Sequence, residues 1–105
     1  MNETEFQNSL IKAAQLLGWK VAHFRGVRIQ RKNGSIYYAT PVQADGEGFV
    51  DLVMVRGNRL ICAELKSDKG RTSKEQDDWL EKLGLVAETY VWKPKDWEEI
   101  TRVLE

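Results

Sequence analysis

One cysteine, one histidine and two prolines are all that the 105 residues hold of those types, and each scarcity closes off a class of explanation. Cys62 has no partner within the chain for a disulfide, which fits a reducing cytoplasm. His23 has no second imidazole with which to hold zinc and no evident nucleophile to activate, so substrate contact and a plain strand position both stay open for it. No apolar run is long enough to cross a bilayer, and the first residues lack a basic, signal-like opening, so neither membrane insertion nor export is expected. Repeats, low-complexity tracts and Pro-rich linkers are missing too, and the length suits a single domain, 1–105, with a modest core. Acidic residues are absent from one long stretch. Between Phe6 and Ala44 there is none, while Lys12, Lys20, Arg25, Arg28, Arg31 and Lys32 all fall there. The formal net charge of zero therefore hides a basic half and an acidic half, and the basic half fits a polyanion partner.

What is present is organised around Phe49–Lys66. Two apolar, β-branched-rich runs flank Gly57-Asn58, a pair that suits a two-residue type II′ hairpin. That turn fixes the register: Arg56 faces Arg59, Val53 faces Cys62 and Asp51 faces Glu64. Counted from the turn, Asp51 and Glu64 fall on a non-hydrogen-bonded pair, with Cβ atoms roughly 4.5–5.5 Å apart. Lys66 lies two residues beyond Glu64 and shares its face. Val50, Leu52 and Met54 on one side, and Val53, Val55, Leu60 and Cys62 on the other, predict strands covered on both faces. Opposed carboxylates at the end of such strands repel unless something positive stands between them. A divalent cation does so, and an all-oxygen ligand set suits magnesium or manganese. The plainer alternative is a surface strand whose charges Lys66 neutralises.

The remaining chain reads as helix and strand around this hairpin. Phe6, Leu10, Ala13, Ala14 and Leu17 recur at helical spacing, so a helix is expected over Glu3–Leu17 with Gly18 as its stop. Glu5 lies on its mostly polar face, while Glu3 lines up with Gln7, Leu10, Ala14 and Leu17 on the buried face. Both also complement the helix dipole. Trp19–Phe24 is an expected strand. Arg25–Gly48 is loop, with room for a small hairpin around Lys32-Asn33-Gly34-Ser35. There Arg28, Arg31 and Lys32 mix with Tyr37 and Tyr38, which suits phosphates and bases as well as it suits a solvated loop covering a core edge. After the charged loop Ser67–Arg71, Thr72 or Ser73 caps a second helix whose inward stripe is Gln76, Trp79, Leu80 and Leu83 and which ends at Gly84. Gln76 is either a cap residue or a neighbour of Lys66. Val86–Trp92 is another core strand, Pro94 breaks it, and Asp96 caps a last helix. Helix, three strands, helix, strand, helix is an α/β core around a central mixed sheet.

Asp51, followed across a hairpin by Glu64-Leu65-Lys66, resembles the D…(D/E)-x-K motif of the PD-(D/E)XK nuclease superfamily. More narrowly, the chain is similar to small stand-alone, phage-type members of the VRR-NUC family. The likeness rests on an ordered set: a Glu ahead of Phe6-Gln7, Gly18-Trp19, Gly48-Phe49-Val50-Asp51-Leu52, Ala63-Glu64-Leu65-Lys66, Gly70-Arg71-Thr72-Ser73, Gln76-Asp77-Asp78-Trp79, and Val91-Trp92-Lys93-Pro94 leading to Asp96. It departs at Val50, where the family often has Pro, and Arg25–Gly46 has no family counterpart.

The resemblance implies a restriction-endonuclease-like core, a central mixed β-sheet flanked by helices, and metal-dependent hydrolysis of DNA phosphodiesters. It implies that Asp51 and Glu64 hold Mg²⁺ or Mn²⁺ with the Leu65 carbonyl. Lys66 would position the attacking water and stabilise developing charge, Glu3 would complete the site directly or through water, and Gln76 would orient Lys66 or contact the phosphate. Lys20, Arg25, Arg28, Arg31, Lys32, Lys69 and Arg71 are the expected DNA contacts. Similar nucleases cut branched, flapped or Holliday-junction-like DNA, often as homodimers. A helicase or another replication or recombination protein is a further expected partner, in the cytoplasm of a bacterial or phage-infected cell. A nuclease-fold binding module with little cleavage of its own, and an interaction protein with a Trp-rich surface, are the competing readings. The complete Asp/Glu/Lys set argues against the last.

Overall fold

Helix α1, Glu3–Leu16, is fixed at both ends by its own residues. Asn2 caps it, its Oδ1 accepting from the Glu5 N–H at 2.8 Å while the Glu5 carboxylate accepts from the Asn2 N–H at 3.3 Å. At the other end Gly18 turns left-handed, with φ 90°. Gly18 N–H then donates to Gln15 O and Trp19 N–H to Ala14 O, which satisfies carbonyls the helix leaves over.

The computed structural model describes residues 1–24, 26–39 and 42–105, without the side chains of Val27, Arg28, Tyr38 and Ala39. After α1 come β1 (Lys20–His23), β2 (Val27–Gln30), β3 (Ile36–Ala39), β4 (Leu52–Arg56), β5 (Arg59–Leu65), α2 (Lys74–Leu83), β6 (Glu88–Trp92), a 3-10 turn at Pro94–Asp96, and α3 (Trp97–Leu104). Four strands form a mixed sheet in the order β1-β4-β5-β6, in which only β5 and β6 run parallel. The expected α/β architecture with a central mixed sheet is present. β2 and β3 pair with each other as a separate antiparallel ribbon.

The hairpin register is the one the turn dictates: Arg56 opposite Arg59 and Val53 opposite Cys62. Gly57 has φ 60° and Asn58 does not enter the left-handed region, as a type II′ turn requires. Met54 and Ile61 pair at the centre, both fully buried. Each is worth about 1.5–3 kcal/mol of apolar burial. Phe6, Leu10 and Ala14 of α1, and Ile100 and Leu104 of α3, complete this core.

The opposite sheet face departs from expectation. Cys62 and Glu64 are buried near α2, but Val55 is 45% exposed and Leu60 36%. A ten-residue helix packed against β5 and β6 is too short to cover the hairpin's turn end. The four tryptophans do not make a binding surface either: Trp19 and Trp92 are buried, and Trp79 and Trp97 half-buried. Asp96 does not cap the last helix with its side chain. Its carboxylate accepts from the Lys93 N–H at 2.9 Å, so it closes the 3-10 turn and leaves the first turn of α3 without a side-chain cap.

At the turn end, one side chain joins several elements. The Arg56 guanidinium donates to Leu17 O at 3.0 Å, Leu104 O at 2.7 Å and Glu105 O at 3.0 Å, and lies 4.6 Å over the Trp19 ring. A fixed cation at two helix C-termini complements both dipoles. Asp51 and Glu64 lie toward the opposite end of the sheet, where β5 and β6 finish.

Candidate functional site

Asp51 stands one residue before β4, at the mouth of the hairpin. The next ladder bond after the Leu52–Ala63 pair would take the Leu65 N–H to backbone. Instead the Asp51 side chain takes it, Oδ2 accepting at 2.8 Å. That bond turns the carboxylate inward along β5.

Glu64 is only 2% exposed. Its Oε1 accepts from Gln76 Nε2 at 3.0 Å, whereas its Oε2 is buried with no hydrogen-bond donor. Burial first, and then Asp51 as hydrogen-bonding and charged neighbour, push the Glu64 carboxyl up to about 9, while Lys66 pulls it the other way. A carboxylate oxygen can only accept, so Oε2 is satisfied by a proton shared with Asp51 or by a cation. The sequence reading of two facing carboxylates with Lys66 alongside is therefore met in space, and the donor set fits a hard divalent ion. Among the described residues no third Asp, Glu, His or Cys joins them closely enough to make a metal-holding group of three.

Gln76 fills the cap role, and its other end reaches Glu64. Its Oε1 accepts from the Ser73 N–H at 2.8 Å, completing the cap of α2, while its Nε2 reaches Glu64. The amide therefore orients Glu64, where Lys66 was the expected partner. Thr72, the other capping candidate, bonds to Asp77 instead. Gly48 lies against this helix start with φ 81°. A Cβ there would come within 2.6 Å of the Glu75 carbonyl carbon and 2.7 Å of the Gln76 nitrogen.

Glu3, expected on the buried face of α1, is instead exposed, one turn before that face closes on the core, and lines a cleft of about 350 Å³ with Asn2, Ser67, Lys69 and Pro94. Glu5, held in the capping box, is a structural acid. Lys69 shares the Glu3 cleft, and Arg71 is exposed on the same loop. Lys20 is exposed opposite Val55, at the turn end of β1, and so lies apart from the carboxylates. Arg31 and Lys32 are exposed at the tip of the β2–β3 ribbon. Arg28 is in β2, its side chain outside the described residues, and Arg25 lies outside them altogether. His23 is half-buried opposite Leu52. A second cleft, about 460 Å³, is lined by Asp45, Glu47, Glu75 and Asp78 with Lys74, a charge balance that disfavours phosphate.

Sequence reasoning missed the aromatic train that holds the loop beside the site. Phe24 meets Phe49 edge-on at 5.4 Å, Phe49 meets Trp79 at 5.0 Å, and Trp79 Nε1 donates to Asp45 O at 3.0 Å. An aromatic directly before Val50-Asp51 and another on the inward stripe of α2 were the available signal. Compared with protein-family models, curated proteins and solved structures, the chain matches none.

Proposed function

We propose that the protein is a metal-dependent endonuclease that hydrolyses phosphodiester bonds in structured DNA. The observation that carries this reading is the buried Glu64 Oε2, left without a donor beside the Asp51 carboxylate and within the field of Lys66. Two acids and one ammonium at the end of a sheet match what the reaction requires: a site for a divalent ion and a counter-charge for the phosphorane-like state. The order of helix, antiparallel hairpin, crossover helix and parallel strand supports a restriction-endonuclease-like core and the VRR-NUC resemblance.

Asp51 and Glu64 would hold Mg²⁺ or Mn²⁺, with the Leu65 carbonyl as a further oxygen. The bound ion would supply Lewis acidity and a more acidic water. The chain's own groups do the rest. The Leu65 N–H and the Gln76 amide hold the two carboxylates in place, so neither must reorganise when substrate arrives. Lys66 positions the attacking water and meets the negative charge that develops on phosphate. Glu3, across the Ser67–Lys69 cleft, would act through water. The resemblance also makes the acting form a homodimer, in the cytoplasm.

Nicking of a supercoiled plasmid and cutting of a four-way junction in Mn²⁺, abolished by EDTA and by Glu64→Gln, is the expected result. A wild-type protein that binds these DNAs and leaves them intact in Mg²⁺ and Mn²⁺ overturns the enzyme reading.

A further inference from the structure

The β2–β3 ribbon is outside the four-stranded sheet, and its strands pack substantially only on each other. The molecule is 47 Å along its longest axis, with a radius of gyration of 14.4 Å. About 13 Å is usual for a compact domain of this length, so an arm standing off the body is in keeping with its shape. The ribbon is shaped locally by its turn. Gly34, with φ 88°, donates to Arg31 O at 2.9 Å, Arg31 N–H donates to Ser35 O at 2.8 Å, and Asn33 Oδ1 accepts from both the N–H and the hydroxyl of Ser35. Every residue from Arg31 to Ser35 is exposed. Ribbon and turn, residues 26–39, contain no acid.

The chain leaves β1 for the ribbon through Phe24, whose N–H donates to Asp51 O at 2.8 Å, and Phe49 and Val50 lead into Asp51.

We infer that this arm receives an unpaired DNA base on the stacked pair that Arg31 and Tyr37 form at its tip. The Arg31 guanidinium carbon lies 4.1 Å from the Tyr37 ring centroid, and register places Ile29 and Tyr37 opposite each other on one face. Tyr37 supports one face of the guanidinium, and a planar cation so held offers its other face for stacking. Paired bases present only edges in the grooves, whereas unpaired ones present the flat face this pair matches. Lys32, next in the turn, supplies a charge for the adjoining phosphate. The inference rests on the nuclease reading for its choice of DNA, and it narrows that substrate to DNA with a gap, flap or open junction.

Binding in EDTA tests it without any cleavage. Fluorescence anisotropy at fixed salt compares a duplex carrying a short single-stranded gap with the same duplex fully paired. Wild type is expected to prefer the gapped DNA. Arg31→Ala, which removes the stacking face, should lower that preference about 5- to 150-fold, the range expected for loss of one base-stacking group. Tyr37→Ala, which removes the support of that face, should lower it as well, and Tyr37→Phe should restore it. A wild type with no preference, an unchanged preference in both alanine variants, or a Tyr37→Phe as damaging as Tyr37→Ala overturns the inference. So does tighter binding of the corresponding gapped RNA. Nicking in Mn²⁺ separates the two readings: no nicking with an intact gap preference sinks the nuclease alone, and nicking without a gap preference sinks the arm alone.

Discussion

The Gln76 amide bridges the start of α2 and the buried Glu64, accepting from Ser73 at 2.8 Å with one end and donating to the carboxyl at 3.0 Å with the other. Stability and site geometry are thus tied through one side chain. Gln76→Ala removes a cap bond, worth about 1 kcal/mol, and leaves Glu64 Oε1 without its donor at a cost of about 1–3 kcal/mol. Urea unfolding in EDTA should show a loss of about 2 kcal/mol or more. A loss of only a few tenths would mean that the bridge is not formed in solution.

Metal binding should need both carboxylates. Asp51→Asn keeps an oxygen able to accept from the Leu65 N–H but removes one of the two carboxylates of the pair. Titration of Mn²⁺ by calorimetry should give an affinity at least about tenfold below wild type, the scale at which even supporting groups of metal sites act. Equal affinities would exclude a shared ion.

Without metal, stability should fall as the solution becomes more alkaline. The folded Glu64 carboxyl titrates at about 9, far above an unfolded glutamate. Between these values the folded protein holds a proton that the unfolded chain has released. Its contribution is therefore complete below the unfolded value and is lost as pH rises through the folded one. Urea midpoints in EDTA should decline from pH 5 to pH 9, with a limiting slope of about 1.4 kcal/mol per pH unit for one proton. Glu64→Gln should flatten the decline. Saturating Mn²⁺ should flatten it too, by replacing the proton. A wild-type profile as flat as that of Glu64→Gln would place the Glu64 carboxyl in the ordinary range.

The two N-terminal acids should separate cleanly. Glu5 caps α1, and glutamine can make the same box, so Glu5→Gln should leave both folding and cutting near wild type. Glu3 lines the cleft with Lys69, and Glu3→Gln should lower the cleavage rate several-fold or more at unchanged melting temperature. The reverse ranking in a plasmid-nicking assay would assign the cleft acid no part in the reaction.

The hairpin register was legible in the sequence because a two-residue Gly-Asn turn leaves the facing pairs no freedom, and Asp51 and Glu64 follow from it. The end of α1 was legible to within a residue, since Gly18 closes one continuous apolar stripe, whereas the Asn2 cap at its start was not read. Other features depend on distance in space. Val55 and Leu60 read like covered strand residues because β-branched and aliphatic side chains look alike in sequence whether or not a helix reaches them. Asp96 could serve either of two overlapping turns, and only the path of Lys93 decides between them. The cap role of Gln76 followed from its spacing to Ser73, but that its donor end goes to Glu64 and not toward Lys66 depends on how α2 packs on β5. The arm was visible only as its Asn-Gly turn. Its root beside Asp51 depends on a contact between Phe24 and a residue 27 positions later.

Lys66 offers the sharpest separation of catalysis from binding. It follows Leu65 at the end of β5, held by its N–H to Trp92 O at 3.0 Å, and its ammonium acts electrostatically on Glu64. A cation placed there meets charge that appears during attack, so it stabilises the transition state more than bound DNA. Loss of one such group typically costs about 10²–10³ in rate. Binding should fall far less, because the acid-free stretch from Phe6 to Ala44 carries six of the sixteen Lys and Arg with no acid among them to offset their attraction for phosphate. Lys66→Ala should therefore still retard a branched DNA in a gel while cutting it about 10²-fold or more slowly at saturating enzyme. Arg31→Ala combined with Lys32→Ala should show the converse: weaker binding, a shallower dependence of affinity on salt, and a rate at saturation close to wild type. Cutting by Lys66→Ala at the wild-type rate would remove Lys66 from the reaction.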